Sequence, residues 1–282
     1  MIHPGADDNA SGVATMLAVA KQLSILNSQG KLKGNKNILI AAWSGEELGV
    51  LGSSYFVDHL GDERVHEIDA AINLDMVGHL RDKLILQGIG SSHDWPQCLQ
   101  HIPIASDMQV VMQSDPYLPT DSTPFYLHQI PTINFFSGAH DAYHTPRDTA
   151  ETLNYQGMET ISLFLVQLIL ALENHSKPMV FHAVEKKYQT HQQRFKVYLG
   201  TIPDYGSDEI SGIKLSGVVK GSPAARAGLD ANDIIIQLAG KNIQNIYDYM
   251  HILNSLKAGE QVTMLILRHQ HTMTLHVTAK AR

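Results

Sequence analysis

The chain has 282 residues, 44% of them hydrophobic and 17% charged, which gives room for a substantial core and for two domains. A formal charge of -7 argues against nucleic acid or an anionic membrane surface as the main partner, since either calls for a basic face. One cysteine, Cys98, excludes an internal disulfide and a cysteine-based zinc cluster, and neither an export leader nor an apolar run long enough to span a bilayer stands out.

The chain opens with IHPGADDNASG (2–12), a turn-rich loop leading into an apolar-periodic helix over 13–26. Asp8, Asn9 or Ser11 is suited to cap that helix, which leaves Asp7 without a role. A basic, glycine-bearing turn at 30–34 leads to residues 37–43, an apolar run too short for a stable helix and bounded by glycines. It reads as a buried strand of a parallel sheet. Directly after it stand Ser44, Gly45, Glu46 and Glu47, where an open α/β sheet places its ligands. Adjacent carboxylates repel, and near a buried strand end both stay ionised only when a cation or a reacting proton occupies one. The pair therefore suggests a metal ligand beside a general base, although two acids also suit the first turn of an exposed helix.

A helix over 51–60 follows, then a strand over 69–74 that ends in Asp75, again a carboxylate at a strand's carboxyl end. Residues 84–87 read as a short strand and 94–100 as a helix. From 114 to 149 the chain is rich in turns and prolines around one apolar strand, 132–136, which runs out into SGAHDAYHTPRDT with His140 and His144. An amphipathic helix over 150–172 closes this part. Beyond it, short alternating strands at 195–202, 212–219, 233–238, 261–268 and 273–278, with helices near Ala224 and over 246–256, predict a small β-rich unit.

Residues 3–172 resemble the M28 family of zinc aminopeptidases through GADDNASG (5–12), SGEELGVLGS (44–53), NLDMVG (73–78) and YHTPRDT (143–149). The resemblance implies an α/β fold, a zinc-exopeptidase-like mixed sheet flanked by helices, and an enzyme that removes N-terminal residues from peptides by metal-activated water. Carried over position by position, Asp7 bridges two zinc ions, Glu47 and His144 complete one site, Asp75 serves the other and Glu46 is the general base. A cis peptide between Asp7 and Asp8 is implied as well. Met76, Phe136 and Tyr143 stand near enough to these positions to line an apolar pocket, and equally suit ordinary core. The family draws one further ligand from a His-x-Asp motif upstream of the first loop, whereas this chain starts at Met1. The expectation is a peptidase domain lacking its N-terminal part, with one zinc or none, little activity, and another chain in a homo-oligomer or a rearranged sheet covering the gap. His140 is the first alternative ligand to examine.

Residues 195–282 resemble a PDZ domain of the bacterial protease-associated type, through Tyr198, Leu199, Gly200 and Thr201 as carboxylate loop, the stretch 217–243 and the helix over 247–256. The resemblance implies capture of a peptide's C-terminus by strand addition. The domain expectation is thus a peptidase domain at 1–176, a linker at 177–194 and a PDZ domain at 195–282, in a protein that is periplasmic or secreted. Two other functions fit the residues. One is a glutaminyl-cyclase-like acyltransferase with a single zinc on Asp7, Glu47 and His144, and the other an inactive peptide-binding protein acting through its PDZ domain.

Overall fold

The computed structural model describes residues 2–34, 36–106, 108–185, 197–204 and 211–281. They form two compact units, Met1–Gly138 with His144–Glu185, and Ala139–Tyr143 with Lys186–Arg282.

The first unit is built on a four-stranded sheet of β1 (Ala71–Leu74), β2 (Lys83–Gln87), β3 (Gln109–Gln113) and β4 (Thr132–Phe136), in the order β1-β4-β2-β3. β1 runs parallel to β4 and β2 parallel to β3, while β2 and β4 are antiparallel, so the sheet is mixed as the sequence led us to expect. β4 is buried along its whole length, which accounts for its run of Thr, Ile, Asn and two Phe without polar alternation. Helices α1 (Gly12–Ser28) and α6 (Tyr155–Asn174) pack their apolar stripes on the sheet, and Val19, Leu23, Ile161, Leu165 and Leu168 share one core with Leu84, Leu86, Ile133 and Phe135. By length and composition α6 is apolar enough to cross a bilayer. Here its buried stripe forms the core of the unit. Asn154 caps it, the side-chain oxygen accepting from the amide of Gly157 at 2.9 Å.

A row of amide side chains crosses all four strands. Asn73 Nδ2 donates to Asn134 Oδ1 (2.9 Å), Asn134 Nδ2 to Gln87 Oε1 (2.8 Å) and Gln87 Nε2 to Gln113 Oε1 (3.1 Å). Each pair consists of directly opposed residues in the ladders, so a one-residue slip would separate every partner.

Three sequence expectations change. Residues 37–43 join no ladder among the described residues, and Ile38, Leu39 and Ile40 are 40%, 71% and 40% exposed. An apolar run expresses a tendency to be buried, but a strand needs a partner's N–H and C=O groups in register, and β1 pairs with β4 alone. Trp43, at the end of the run, is half-buried, with its ring centroid 4.9 Å from Phe56 and 6.1 Å from Phe125. β3 has no counterpart in the sequence reading, because Gln109 and Gln113 flank its Val-Val-Met run and blur its periodicity. The expected linker also begins late. Residues 178–185 belong to the first unit, where Met179 donates its amide to Asp69 (2.5 Å), His182 to the Ser91 carbonyl (2.7 Å) and Val184 to the Tyr126 hydroxyl (2.8 Å). The rest of that linker and Phe195 lie outside the described residues.

The second unit has its own core, including Leu215, Ile235, Leu238, Ile252, Met264, Ile266 and Val277. Its sheet runs β11 (His271–Thr278), β10 (Gln261–Arg268), β8 (Ile234–Leu238), β7 (Ile213–Val218), β6 (Thr201–Pro203), with β9 (Lys241–Asn242) on β8 and a separate pair of β5 (Val197–Tyr198) with β12 (Lys280–Ala281). Helix α7 (Pro223–Arg226) starts at a Ser222 cap and stops at Gly228, whose φ of 85° is the left-handed conformation expected there. Helix α8 (Ile246–Ser255) starts at Asn245, whose side chain accepts from the amides of Tyr247 and Asp248.

Replacing Asn134 by Leu is expected to leave the half-buried Asn73 donor and the buried Gln87 acceptor without these partners. At about 1–3 kcal/mol for each unpaired group, urea denaturation should show a loss of roughly 2–4 kcal/mol. A loss under about 0.5 kcal/mol would mean that the amide row is incidental.

Candidate functional site

Four segments of the first unit converge beyond the carboxyl ends of β1 and β4: the turn Ala6–Ser11 before α1, the 3₁₀ turn Glu46–Leu48 before helix α2 (Leu51–His59), the end of β1 at Asp75, and the loop carrying His144. The first turn is tied down by side chains from the others. Asn9 spans the end of β1, donating from Nδ2 to the Leu74 carbonyl (2.8 Å) and accepting at Oδ1 from the amides of Met76 (3.2 Å) and Gly12 (3.1 Å). Asp75 is thereby held from both flanks, and α1 receives its cap. Asp148 is 2% exposed and grips two successive amides, Asp7 through Oδ1 (2.8 Å) and Asp8 through Oδ2 (3.1 Å). The loop that brings His144 thus also fixes the turn that brings Asp8.

This framing decides between the two neighbouring aspartates. Asp7 is fully buried, and its Oδ1 accepts from the amide of Gly78 (2.6 Å) and from the Ser11 hydroxyl (3.0 Å). Gly78 permits the approach, because a Cβ there would lie 2.7 Å from that same oxygen. Asp8 turns the other way, its Oδ2 3.0 Å from His144 Nε2. The carboxylate that joins Glu47 and His144 is therefore Asp8, where the sequence carry-over named Asp7, and the cis peptide lies between Asp8 and Asn9, one bond later than expected. Adjacent residues of one type match the motif equally well. Only the position of Gly78 and Asp148 in space separates them.

Asp8, Glu47 and His144 each offer one ligand atom, and these atoms all lie within 4.8 Å of one another. His144 Nε2 also forms a very short contact with Glu47 Oε1. Two carboxylates and one imidazole, with the imidazole nitrogen facing both oxygens, are a donor set suited to zinc, with three protein ligands and a position left open. The trio borders a cleft of about 290 Å³ whose lining includes His3, Gly5 and Asp148.

Glu46 lies half-buried beside the trio, and its carboxyl is pushed up to about 8 by burial and then by the charges of Asp75, Glu47, Asp121 and Asp8. Burial followed by Asp8, Asp121, Asp7 and Glu47 lifts Asp75 to about 7. Burial alone would lower His144, but its hydrogen bonds and charge interactions with Asp8 and Glu47 outweigh that and raise it to about 9. These directions describe a crevice that wants a cation. Asp75 adds charge without joining the trio. Met76 and Phe136 are 5% and 7% exposed and do not line the cleft, so they are core; His140 is 3% exposed, and Tyr143 clusters with the second unit.

In that second unit Tyr198 lies on β5, Leu199 is 1% exposed, and Gly200 turns the chain with φ 81° into β6, which begins at Thr201. A Cβ on Gly200 would stand 2.2 Å from that of Ser222.

The sequence reading missed Asn9, Asp121 and Asp148 as site residues. Asn9 and Asp148 were within quoted motifs, and for Asn9 an amide beside two acids in a turn was the available signal. Asp121 sits alone among prolines, threonines and serines and offered none.

Comparison with known proteins places these features. Residues 1–169 match peptidase family M28 and residues 215–268 match the PDZ domain. Aminopeptidase YwaD of Bacillus subtilis is 31% identical over 189 residues, covering 62% of this chain and 39% of that protein. Leucine aminopeptidase 2 of Trichophyton equinum is 31% identical over 145 residues, or 48% of this chain and 28% of its own. The chain thus spans less than half the length of these curated relatives. Among solved structures, a zinc aminopeptidase from Bacillus subtilis, BSAP, superposes with a TM-score of 0.54 at 26% identity over 65% of this chain and 46% of its own.

The titrations set a sign for stability. In the metal-free chain the folded state keeps a proton on Glu46 between its ordinary 4.5 and about 8, and on Asp75 between 3.8 and about 7, where the unfolded chain has lost it. The contribution of His144 is complete below 6.5 and is lost as pH rises through about 9. All three make stability fall as pH rises. The melting temperature of metal-free protein should therefore drop between about pH 6 and pH 9, and added zinc should raise it more at the alkaline end. Scanning calorimetry with and without zinc measures both, and a rise with pH in the metal-free chain would contradict the assignment.

Proposed function

The chain belongs to peptidase family M28, and we propose that it is a zinc aminopeptidase with a peptide-binding PDZ domain. The observation that carries this reading is the convergence of Asp8, Glu47 and His144 beside Glu46. Asp8, Glu47 and His144 would hold the zinc, which when bound supplies Lewis acidity and brings the pKa of a coordinated water to about 7.

The remaining work falls to the chain's own groups. Glu46 is held next to a ligand without being one, so its carboxylate is available to take a proton from water and pass it to the departing amine. Its upward shift favours this task near neutrality, where it can both accept and release a proton, and a bound cation would lower it from about 8 by offsetting the neighbouring acids. The negative crevice to which Asp75 contributes suits the ammonium of a peptide N-terminus, which supports exopeptidase action over cleavage within a chain. Asp148 and Asn9 hold the turn and the strand end without touching the reacting atoms. The same three ligands would serve a single-zinc glutaminyl cyclase. Release of a free amino acid, in contrast to ammonia from an N-terminal glutamine, separates the two.

In the second unit, left-handed Gly200 and the edge position of β6 support addition of a peptide strand beside the loop of Tyr198, Leu199, Gly200 and Thr201. Peptides with a free C-terminal carboxylate should bind more tightly than their amidated forms. Fluorescence titration of matched pairs tests this, and indifference to amidation would leave the domain a packing module.

Glu46→Gln should lower kcat by about a thousandfold or more while zinc content stays within error, whereas Asp8→Asn and Glu47→Gln should reduce zinc and activity together. Metal analysis with peptide hydrolysis reads both. Equal zinc loss in all three would remove Glu46 from the role of base.

A further inference from the structure

We propose that Asp121 is a positioning residue for the turn that presents Glu46 and Glu47, acting through the hydroxyl of Ser53. This inference rests on the aminopeptidase reading only for its kinetic consequence.

The turn is joined to the first residues of α2 at several points. Val50 donates its amide to the Glu46 carbonyl (2.8 Å), Leu51 to that of Gly45 (3.2 Å) and Gly52 to that of Ser44 (2.9 Å). Gly52 sits so close that a Cβ would meet the Ser44 backbone at 2.7 and 2.8 Å. Movement of the first turn of α2 is therefore movement of Glu46 and Glu47. The connection also runs through unfavourable backbone. Val50 is β-branched, 2% exposed and held at φ 51°. For such a residue the left-handed region is unfavourable, and it persists only where surrounding contacts impose it.

Ser53 supplies the contact. It is fully buried, with Oγ 3.1 Å from the carbonyl of Val50 and 2.5 Å from Asp121 Oδ1. Asp121 is anchored on another element, immediately before helix α5 (Thr123–Leu127), in a turn braced by the hydrogen bonds of Thr120 with Ser122 (2.7 Å) and of Thr123 with Leu118 (2.5 Å). Helices α5 and α2 also pack through Phe125 and Phe56, whose ring centroids are 6.2 Å apart. The Asp121–Ser53 bond thus ties the strained entrance of α2, and with it both carboxylates, to a rigid neighbour.

The test compares Ser53→Ala, Asp121→Ala and Asp121→Asn in the full zinc-loaded chain, with amide hydrogen exchange over residues 45–52, kcat and KM for peptide hydrolysis, and bound zinc. Asn keeps an acceptor oxygen for Ser53 and removes only the charge. Ser53→Ala and Asp121→Ala should speed exchange of the Val50 and Gly52 amides about tenfold and lose about 10–100-fold in kcat, while Asp121→Asn keeps the amide exchange of wild type. Unchanged exchange in Ser53→Ala, or exchange in Asp121→Asn faster than in wild type, overturns the proposal, the latter by making charge the effective property. Should Asp121→Ala not fold, Ser53→Ala and Asp121→Asn still decide it. A wild-type chain that hydrolyses no peptide defeats the aminopeptidase reading instead, and the exchange comparison still tests the tether.

Discussion

Repulsion among carboxylates governs the first unit. Asp7, Asp8, Glu46, Glu47, Asp75 and Asp121 lie close enough for the charges of the others to raise Glu46 or Asp75, and bringing so many acids together near a sheet end is unfavourable in the absence of a cation. The structure meets this in two ways. Some carboxylates are satisfied from within, as Asp7 is by the amide of Gly78 and the hydroxyl of Ser11, and as Asp148 is by two successive amides. Others, Asp8 and Glu47, are turned toward His144, the one side chain of their trio that can become positive. Acids of the first kind brace the site and those of the second kind face its imidazole. The M28 family assignment follows the motifs, but this division of labour follows from which oxygens already have donors.

Much of this was legible in the sequence because the informative residues stand at element boundaries. Asp75 follows a strand, Glu46 and Glu47 precede a helix, and a helix opens directly after the GADDNASG loop, so local periodicity places each acid on the correct side of the sheet. The illegible part depends on contacts between distant segments. Asp7 and Asp8 are chemically identical neighbours, and the choice between them is made by Gly78 and Asp148, 71 and 140 residues away from the groups they hold. The run at 37–43 has the composition of a buried strand, yet pairing belongs to the partner as much as to the run. Asp121 is invisible for the same reason, its one specific bond reaching back 68 residues to Ser53.

The second unit was more readable than the first, and the difference is physical. Its longer strands alternate, its turns are marked by Gly228, Gly240 and Gly259 in the left-handed region, and apart from β5 with β12 its pairings are antiparallel between strands close in sequence. The PDZ match covers residues 215–268, within which β8 and β10 were legible from local pattern and the two-residue β9 was not. A parallel pair such as β1 with β4 joins segments some sixty residues apart, and their relation cannot be encoded locally.

Backbone strain links the fold of the first unit to its chemistry. Of the described non-glycine residues there with positive φ, Val50 follows the Glu46–Leu48 turn, Met76 follows Asp75 and His144 is itself a member of the trio, leaving only Gln129 elsewhere. Hydrogen bonds hold both of the first two: Met76 from distant segments, by Asn9 at its amide and Ser137 at its carbonyl, and Val50 locally, by the turn it closes and by Ser53. Left-handed backbone at ordinary residues is unfavourable, and its placement beside the acids means that contacts made elsewhere in the fold are used to aim them. A site aimed in this way loses geometry before it loses fold when one of those contacts is removed. The residues that hold the backbone therefore set the geometry of the site as directly as the acids they aim.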